Sequence, residues 1–308
     1  MIRRILMAIK ARIINFYRKN IEPSKHKWSE EKLIKGVMRG YKANHGYEFD
    51  IHNPMMFTEK IQWYKIFYKK EGLSNIVDKY LFKGYIEEKL GKGYTIPLFG
   101  AWDNLKDLEK AWDSLPNQFV LKSTLQSDSR CIEIIKDKSK VDFQKLKKEL
   151  KQWLKVKNTL INSYCRAYYE AKPRILAEQY VENIENQLFD YKIFCFNGQP
   201  YYTYVVTERF VSEYTITFYD VEWNKIDVTL GGKPNTNTSM PKPKHYDEML
   251  EISRKLSKDF PFVRVDFFDL EDKLYIAELT FYPSGGFSKF EPNSFNKELG
   301  DLFDIVGN

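Results

Sequence analysis

A pair of acidic residues in segment 261–287, PFVRVDFFDLEDKLYIAELTFYPSGGF, limits how this 308-residue sequence can fold. Apolar and polar residues alternate on both sides of DLEDK, which predicts two antiparallel strands joined by a turn. This turn places Asp266 opposite Glu278 and Arg264 opposite Thr280. Like charges that lie directly opposite destabilise a strand pair, and burial adds a desolvation cost. The hairpin therefore needs something that relieves the repulsion.

Either a proton on one carboxyl group or a cation between the two relieves this repulsion. Mg²⁺ prefers one or two carboxylates together with phosphate oxygens, so the pair suits a magnesium site that holds a nucleotide. The structural alternative is an ion pair of Asp266 with Arg264 or with a lysine at a sheet edge, and the spacing alone leaves both open. A glycosidase is disfavoured, because strand neighbours lie closer than the ~5–5.5 Å between the carboxyl groups of a retaining enzyme. Gly285-Gly286 follows, and such a pair can turn backbone N–H groups toward an anion.

Composition narrows the class of protein. With 43% apolar residues the chain can form a full core, which argues against disorder. Its apolar runs are shorter than the ~18 residues that a membrane-spanning helix needs. The four histidines lack the spacing of a zinc site. An odd number of widely spaced cysteines indicates a reducing compartment and predicts a cytoplasmic protein. These cysteines are Cys131, Cys165 and Cys195.

The net charge of +7 arises at one end of the sequence. Residues 1–28 carry eight basic and one acidic side chain, and the remainder carries 41 of each. A nucleic-acid-binding protein carries its basic residues on its working face, so nucleic acid is not a predicted partner. Within residues 1–20, apolar residues recur every three or four positions between basic ones, which predicts an amphipathic helix. Such a helix either contacts the inner face of a membrane peripherally or packs on the protein's own core.

Periodicity along the chain predicts an α+β fold. Helices are predicted over residues 29–45, 57–68, 78–90, 105–112, 141–156 and 245–258. Strands are predicted over 118–124, 131–137, 174–181, 188–196, 262–268 and 274–281, with a hairpin at Asn197-Gly198. The polar segment 230–244 is predicted to be a mobile loop or a lid. Because strands and helices mix without regular βαβ alternation, two α+β lobes are favoured over a doubly wound sheet.

Eight segments, taken in their order and spacing, resemble the ATP-grasp superfamily, and more closely its TupA-like branch, associated with teichuronopeptide and other polysaccharide biosynthesis. They are FTEKIQW (57–63), DKY (78–80), IPLFGAW (96–102), LPNQFVLKS (115–123), AEQYV (177–181), FDYKIFCFNGQP (189–200), FPFVRVDFF (260–268) and AELTFYPSGGF (277–287). The resemblance covers about residues 50–300. It implies two α+β lobes that hold ATP and Mg²⁺ between them and join a carboxylate to an amine through an acyl phosphate.

The resemblance implies that Lys79, in the DK pair before a helix, and Lys122, on the FVLKS strand, bind the nucleotide phosphates as point charges. The alternative for each is a solvated lysine. Lys192 either reaches the phosphates or pairs with Asp190 on the same strand. The residues implied to bind the base and ribose are Glu178 for the adenine amino group, Gln179 and Val181 through their backbone, and Glu185 for the ribose hydroxyls.

The resemblance also implies that Asp266 and Glu278 bind magnesium. Thr280 stands where many ATP-grasp proteins have asparagine, and its hydroxyl, a weaker ligand, is expected to contact the metal through water. Arg264 is implied to bind an oxyanion or the substrate carboxylate.

The sequence departs from the family after Lys122, where relatives have a loop containing histidine and glycine. Residues 124–130 read TLQSDSR, with no glycine. Ser127 and Ser129 can donate to phosphate, and Arg130 can neutralise it. Asp128 repels it, so either side chains replace the backbone in this loop or nucleotide binding is altered or lost.

These residues predict an ATP-dependent carboxylate–amine ligase that attaches an amino acid or amine to a uronic-acid-type carboxylate. The carrier would be a surface polysaccharide, such as a capsule or O-antigen, or its lipid-linked precursor. The alternatives are a nonligating grasp-like binding module and a polysaccharide kinase or glycosyltransferase. The predicted segments are a basic helical region 1–50, a pre-grasp region 51–116, a small lid-like lobe 117–173 and a C-terminal lobe 174–308 with the metal site.

Overall fold

A computed structural model of the protein describes residues 28–125, 131–155, 164–181, 189–207, 214–236 and 240–305. The amphipathic helix predicted within residues 1–20 lies outside these ranges. Among the helices that the structure describes, none is long and apolar enough to cross a membrane.

Helices and antiparallel strands alternate irregularly along the described ranges, which confirms the predicted α+β class. The helices are α1 Glu30–His45, α2 Phe57–Phe67, α3 Leu73–Val77, α4 Leu81–Leu90, α5 Leu105–Ala111, α6 Phe143–Trp153, α7 Tyr246–Ser257 and α8 Asn293–Leu302. The strands are β1 Leu98–Trp102, β2 Phe119–Ser123, β3 Ile132–Ile135, β4 Ile175–Gln179, β5 Asp190–Phe196, β6 Gln199–Thr207, β7 Thr215–Asp220, β8 Lys225–Ile226, β9 Thr229–Leu230, β10 Phe262–Leu270, β11 Lys273–Thr280 and β12 Phe290–Glu291.

The smaller sheet has four strands in the order β1-β4-β2-β3. Its core is separate from that of the larger sheet: Phe119 and Leu121 of β2 and Ile175 of β4 pack with Leu146 and Leu150 of α6. Strands β1 to β3 precede the predicted segment boundary between residues 173 and 174, and β4 follows it, so this sheet spans that boundary.

The larger sheet has six strands in the order β11-β10-β5-β6-β7-β8, and all neighbours are antiparallel. Asn197 and Gly198 have φ angles of 50° and 79°. Both central residues of a type I′ turn need positive φ, so this pair forms the predicted hairpin between β5 and β6. The predicted loop 230–244 is tied to β7 in its described part, because Met240 N donates to the Tyr219 hydroxyl at 3.0 Å.

The predicted helix boundaries agree with the structure to within a few residues, and their ends follow ordinary capping rules. Ser29 accepts a hydrogen bond from Lys32 N at the start of α1, and Gly46 ends that helix with φ 89°. Gly91 ends α4. The C-terminal helix α8 was not predicted. It lies against α2 beside the larger sheet, where Phe295 and Leu299 join the main core.

Candidate nucleotide and metal site

The acidic residues of the C-terminal hairpin lie where the sequence places them. Asp266 pairs with Glu278 and Arg264 pairs with Thr280 across β10 and β11. The register shifts between Asp266 and Phe267, so that Ala277 forms a bulge beside the acidic pair. β10 lies between β11 and β5 rather than at a sheet edge.

Asp266 is 2% exposed and is neutralised by two cations of the protein itself. Arg264 donates from Nε to Oδ1 and from Nη2 to Oδ2, both at 2.6 Å, and Lys192 Nζ donates to Oδ2 at 2.6 Å. Lys192 also donates to Asp190 Oδ1 at 2.8 Å. The ion pair that was the structural alternative is therefore present, although inside the sheet. The opposed carboxylates alone no longer require a metal ion.

The pKa values of this group follow from burial opposed by ion pairing. Burial raises the pKa of Asp266, but Arg264 and then Lys192 outweigh it and hold the pKa below its usual range. Burial lowers the pKa of Lys192, but Asp190 and Asp266 outweigh it and hold that pKa above its usual range. Asp266 is therefore anionic and Lys192 cationic at neutral pH.

Glu278 is the more open carboxylate of the hairpin. Its side chain is 20% exposed, and its Oε1 lies 3.7 Å from Lys79 Nζ, which is beyond hydrogen-bond distance. Thr280 accepts a hydrogen bond from Arg264 Nη2 at 3.0 Å. Asp266, Glu278 and Thr280 present only oxygen atoms, the donor type that Mg²⁺ takes. These oxygen types fit magnesium. Asp266 and Thr280 are already hydrogen-bonded to protein cations, so Glu278 is the residue of the three that would need least rearrangement to hold the ion.

Glu178 of β4 bridges two lysines on the facing side of the site. Its Oε2 lies 2.7 Å from Lys122 Nζ and its Oε1 lies 2.5 Å from Lys83 Nζ. Lys83 also donates to the Ile96 carbonyl at 2.6 Å. Burial raises the pKa of Glu178, but Lys122 and Lys83 outweigh it and lower that pKa to about 2. The predicted adenine ligand thus has both oxygens bound to lysines.

The Glu178 bridge gives a pH-dependent contribution to stability. A carboxyl group whose pKa falls from 4.5 to about 2 on folding stabilises the protein above pH 4.5, and this contribution disappears as the pH falls toward 2. It amounts to about 3 kcal/mol of unfolding free energy. We expect Glu178→Gln to lower stability in urea at pH 7 and to narrow its difference from wild type at pH 3. An equal difference at both pH values would contradict the charged bridge.

Lys79 reaches the site because Asp78 fixes the chain before α4. Asp78 is fully buried, accepts from Tyr80 N at 2.9 Å and pairs with Arg174 Nη1 at 2.9 Å. Lys79 N donates to the Thr124 carbonyl at 3.2 Å, which ties this turn to the end of β2. The DK pair thus has two roles, an anchor in Asp78 and a cation in Lys79.

A narrow crevice, here named the inter-sheet crevice, lies between the two sheets. It is lined by Lys79, Phe82, Lys83, Ile96, Lys122, Glu178, Phe268, Ile276 and Ala277. Its free volume is about 30 Å³, far below the roughly 300–1,000 Å³ of ligand pockets. A nucleotide can enter only if the Lys83–Glu178–Lys122 bridge or the sheets move apart. Clefts of about 410 and 430 Å³ around residues 68–76 are lined by none of the predicted site residues.

The structure brings together Lys79, Lys122, Glu178 and, nearby, Glu278. The N–H of Gln179 already donates to the Pro97 carbonyl at 2.9 Å, so it is not available to a base. Val181 follows β4 and is half-buried. The predicted residues Ser127, Ser129 and Glu185 lie outside the described ranges.

Sequence reasoning missed Lys83 and the apolar walls of the inter-sheet crevice. Lys83 lies four residues after Lys79, so both project from about one side of the chain as it enters α4, and that spacing was a usable signal. Phe82 and Ile276 gave no such signal, because buried apolar residues look alike in a core and in a pocket wall.

The chain combines two antiparallel sheets, a lysine-lined crevice between them and a hairpin of carboxylates, which is the arrangement expected of an ATP-grasp protein. The sequence model of the family described as TupA-like ATPgrasp matches residues 59–304. The chain belongs to the TupA-like ATP-grasp family, as the sequence motifs indicated. The predicted cofactors, ATP and Mg²⁺, agree with this membership.

Solved structures that resemble the chain are distant. D-alanine–D-alanine ligase from Helicobacter pylori is 16% identical with a TM-score of 0.41, covering 74% of this chain and 61% of that one. The Coxiella burnetii ligase is 15% identical with a TM-score of 0.41, covering 74% and 57%.

The biotin carboxylase domain of Hydrogenobacter thermophilus 2-oxoglutarate carboxylase, solved with MgADP, is 14% identical with a TM-score of 0.38, covering 67% and 40%. The chain thus spans between 40% and 61% of these three proteins. No curated protein matches it.

Proposed function

We propose that the protein is an ATP-dependent carboxylate–amine ligase whose nucleotide binds in the inter-sheet crevice. The observation that carries this proposal is the arrangement of Lys122 on the smaller sheet, Lys79 in the turn before α4 and Glu278 on the larger sheet, 3.7 Å from Lys79. Two lysines that line one crevice suit a triphosphate, and a partly exposed carboxylate beside them suits its divalent metal ion. Family membership supports the same conclusion.

The chemistry that we propose is the one that the resemblance to ATP-grasp ligases implies. A substrate carboxylate oxygen attacks the γ-phosphorus, the bond to the β,γ-bridging oxygen breaks, and ADP leaves with an acyl phosphate formed. An amine then attacks the acyl carbon, and phosphate leaves as the amide forms and the amine loses a proton. When bound, Mg²⁺ supplies charge stabilisation at the phosphates. Lys79, Lys122 and Arg264 contribute positioning and positive charge, and no protein nucleophile is required.

For the substrate we propose a uronic-acid-type carboxylate of a surface polysaccharide or its lipid-linked precursor, with an amino acid or amine as acceptor. The resemblance to the TupA-like branch, associated with polysaccharide biosynthesis, is the reason for this choice, and a basic segment at residues 1–28 suits a substrate carried at the inner membrane face. Incubating the protein with ATP, Mg²⁺, a uronic-acid polymer and amino acids tests it. ADP together with an amide supports a ligase, whereas a phosphorylated polymer supports a kinase.

Lys122 is expected to dominate the affinity for nucleotide. Replacing it with methionine removes a charge-assisted contact to phosphate worth about 1.5–3 kcal/mol, so Mg·ATP should bind roughly 10- to 100-fold more weakly in calorimetry. Lys148→Met is the matched control, because Lys148 is an exposed lysine of α6 in the same lobe. Equal affinity in Lys122→Met and wild type would contradict the proposed site.

One observation favours a nonligating module as a second candidate. The inter-sheet crevice has a free volume of only about 30 Å³, and Glu178 occupies both of its neighbouring lysines. A decayed site would keep this bridge permanently. Absence of Mg·ATP binding by the wild-type protein at millimolar nucleotide would favour this candidate over the ligase.

A further inference from the structure

Lys65 of α2 is a fully buried lysine that lies outside both sheets. Its Nζ donates to Gln62 Oε1 at 2.9 Å and to the Gly285 carbonyl, and it lies 4.3 Å from the centre of the Phe287 ring. In the described part of the chain, no carboxylate lies within ion-pair distance of it. The three N–H donors of the ammonium group are therefore matched by two oxygens and a ring face.

Gln62, one turn earlier on α2, binds the same segment. It is fully buried, and its Nε2 lies 3.0 Å from the Gly285 carbonyl and 3.1 Å from the Gly286 carbonyl. From α1, His45 Nε2 lies 3.2 Å from the Gly286 carbonyl. Three side chains thus converge on two consecutive carbonyl groups, a density of contacts that an ordinary surface loop does not need.

The segment held in this way is residues 283–286, which leave β11 shortly after Glu278 and Thr280. Ser284, Gly285 and Gly286 all have positive φ, at 49°, 62° and 69°. Left-handed backbone costs roughly 1–2 kcal/mol at a residue other than glycine, so Ser284 must be held in place by its surroundings. A Cβ at Gly286 would lie 2.3 Å from Gln62 Nε2, so the glycine is what permits this close approach.

We propose that Lys65 and Gln62, here named the α2 clamp, are positioning residues that hold loop 283–286 against α2. By fixing where β11 ends, the α2 clamp places Glu278 and Thr280 for the divalent metal ion of the nucleotide. Gln62 belongs to the FTEKIQW segment, which carried the family resemblance but contributes no residue to the inter-sheet crevice, so the clamp gives that segment a role. The role in metal binding rests on the proposed function, whereas the contact between the α2 clamp and loop 283–286 rests on geometry alone.

The first test measures the loop directly. Hydrogen exchange of the amides of residues 285–287 should become roughly 10- to 100-fold faster in Lys65→Met, because buried carbonyls lose a charged donor. Lys60→Met is the matched control: Lys60 is also on α2 and also donates to two backbone carbonyls, those of Gly300 and Phe303. It should leave exchange in the loop unchanged. Unchanged exchange in Lys65→Met, or equal acceleration in both variants, would overturn the clamp.

The second test measures what the loop positions. In calorimetry, Lys65→Met should lose at least about tenfold in affinity for ADP with Mg²⁺ and keep the wild-type affinity for ADP with EDTA. Lys60→Met should bind both as wild type does. Equal losses of ADP affinity with and without Mg²⁺ would overturn the positioning role. The exchange experiment would still decide whether the α2 clamp holds the loop. If wild type itself does not bind Mg·ADP, the proposed function fails, and the exchange experiment still decides the clamp.

A second variant covers the case in which Lys65→Met does not fold. Gln62→Met removes two donors to the loop at similar volume, and should accelerate exchange at residues 285–287 as Lys65→Met does. Exchange at wild-type rates at residues 285–287 in a folded Gln62→Met variant would overturn the clamp.

Discussion

Replacing Glu278 with glutamine is expected to weaken Mg·ADP binding by at least tenfold and to leave ADP binding without metal unchanged. Removing even an outer partner of a bound metal costs roughly 10- to 100-fold in affinity, so a direct ligand should cost at least as much. The fold should persist, because Glu278 is 20% exposed and its contact with Lys79 is 3.7 Å long. At that distance the two groups are not hydrogen-bonded, so losing the contact should cost on the order of 1 kcal/mol. Calorimetry with Mg²⁺ and with EDTA measures both affinities.

The control for Glu278→Gln is Glu271→Gln, which removes an exposed carboxylate at the turn of the same hairpin. It should bind Mg·ADP as wild type does. If Glu278→Gln also binds Mg·ADP as wild type does, Glu278 is not a metal ligand, and the proposed metal site fails.

Replacing Asp266 with asparagine is expected to lower the unfolding free energy by about 3–5 kcal/mol. Asp266 is 2% exposed and faces the charges of Arg264 and Lys192, which a neutral amide cannot balance. Urea unfolding followed by circular dichroism measures the loss. Because this variant disturbs the fold, its loss of ADP formation would not identify a metal ligand, whereas that of Glu278→Gln would.

Asp190→Asn is the matched comparison within the same cluster. It also removes a buried carboxylate bonded to Lys192, but Lys192 keeps Asp266 at 2.6 Å. Its stability loss should therefore be clearly smaller. A loss below about 1 kcal/mol in Asp266→Asn would show that the two buried cations do not depend on this carboxylate.

The sequence predicted the fold where the geometry depends on residues that are close together in the chain. The alternation on both sides of DLEDK predicted the strand pair and the opposition of Asp266 and Glu278, because one face of a strand must be buried. Asn197-Gly198 predicted its hairpin, because its turn needs two residues that tolerate positive φ. The bulge at Ala277 was not predictable, since it changes the register by one residue without a glycine to mark it.

The counter-ions of the site were harder to predict than its carboxylates. Arg264 lies two residues from Asp266, but Lys192 comes from a neighbouring strand 74 residues away, and Lys83 reaches Glu178 from a helix. The register of β5 against β10 and the position at which α4 begins are both set by packing between distant parts of the chain. Sequence reasoning therefore identified which residues are acidic and buried, and left open which cations neutralise them.

A crystal structure of the protein with Mg²⁺ and ADP would show whether the inter-sheet crevice binds nucleotide. We expect the ADP phosphates to lie between Lys122 and Glu278, with Lys122 released from Glu178 and the metal ion bound to Glu278. If crystals grown at saturating nucleotide show Lys122 still bound to Glu178 and no phosphate density in the inter-sheet crevice, the proposed nucleotide site is wrong.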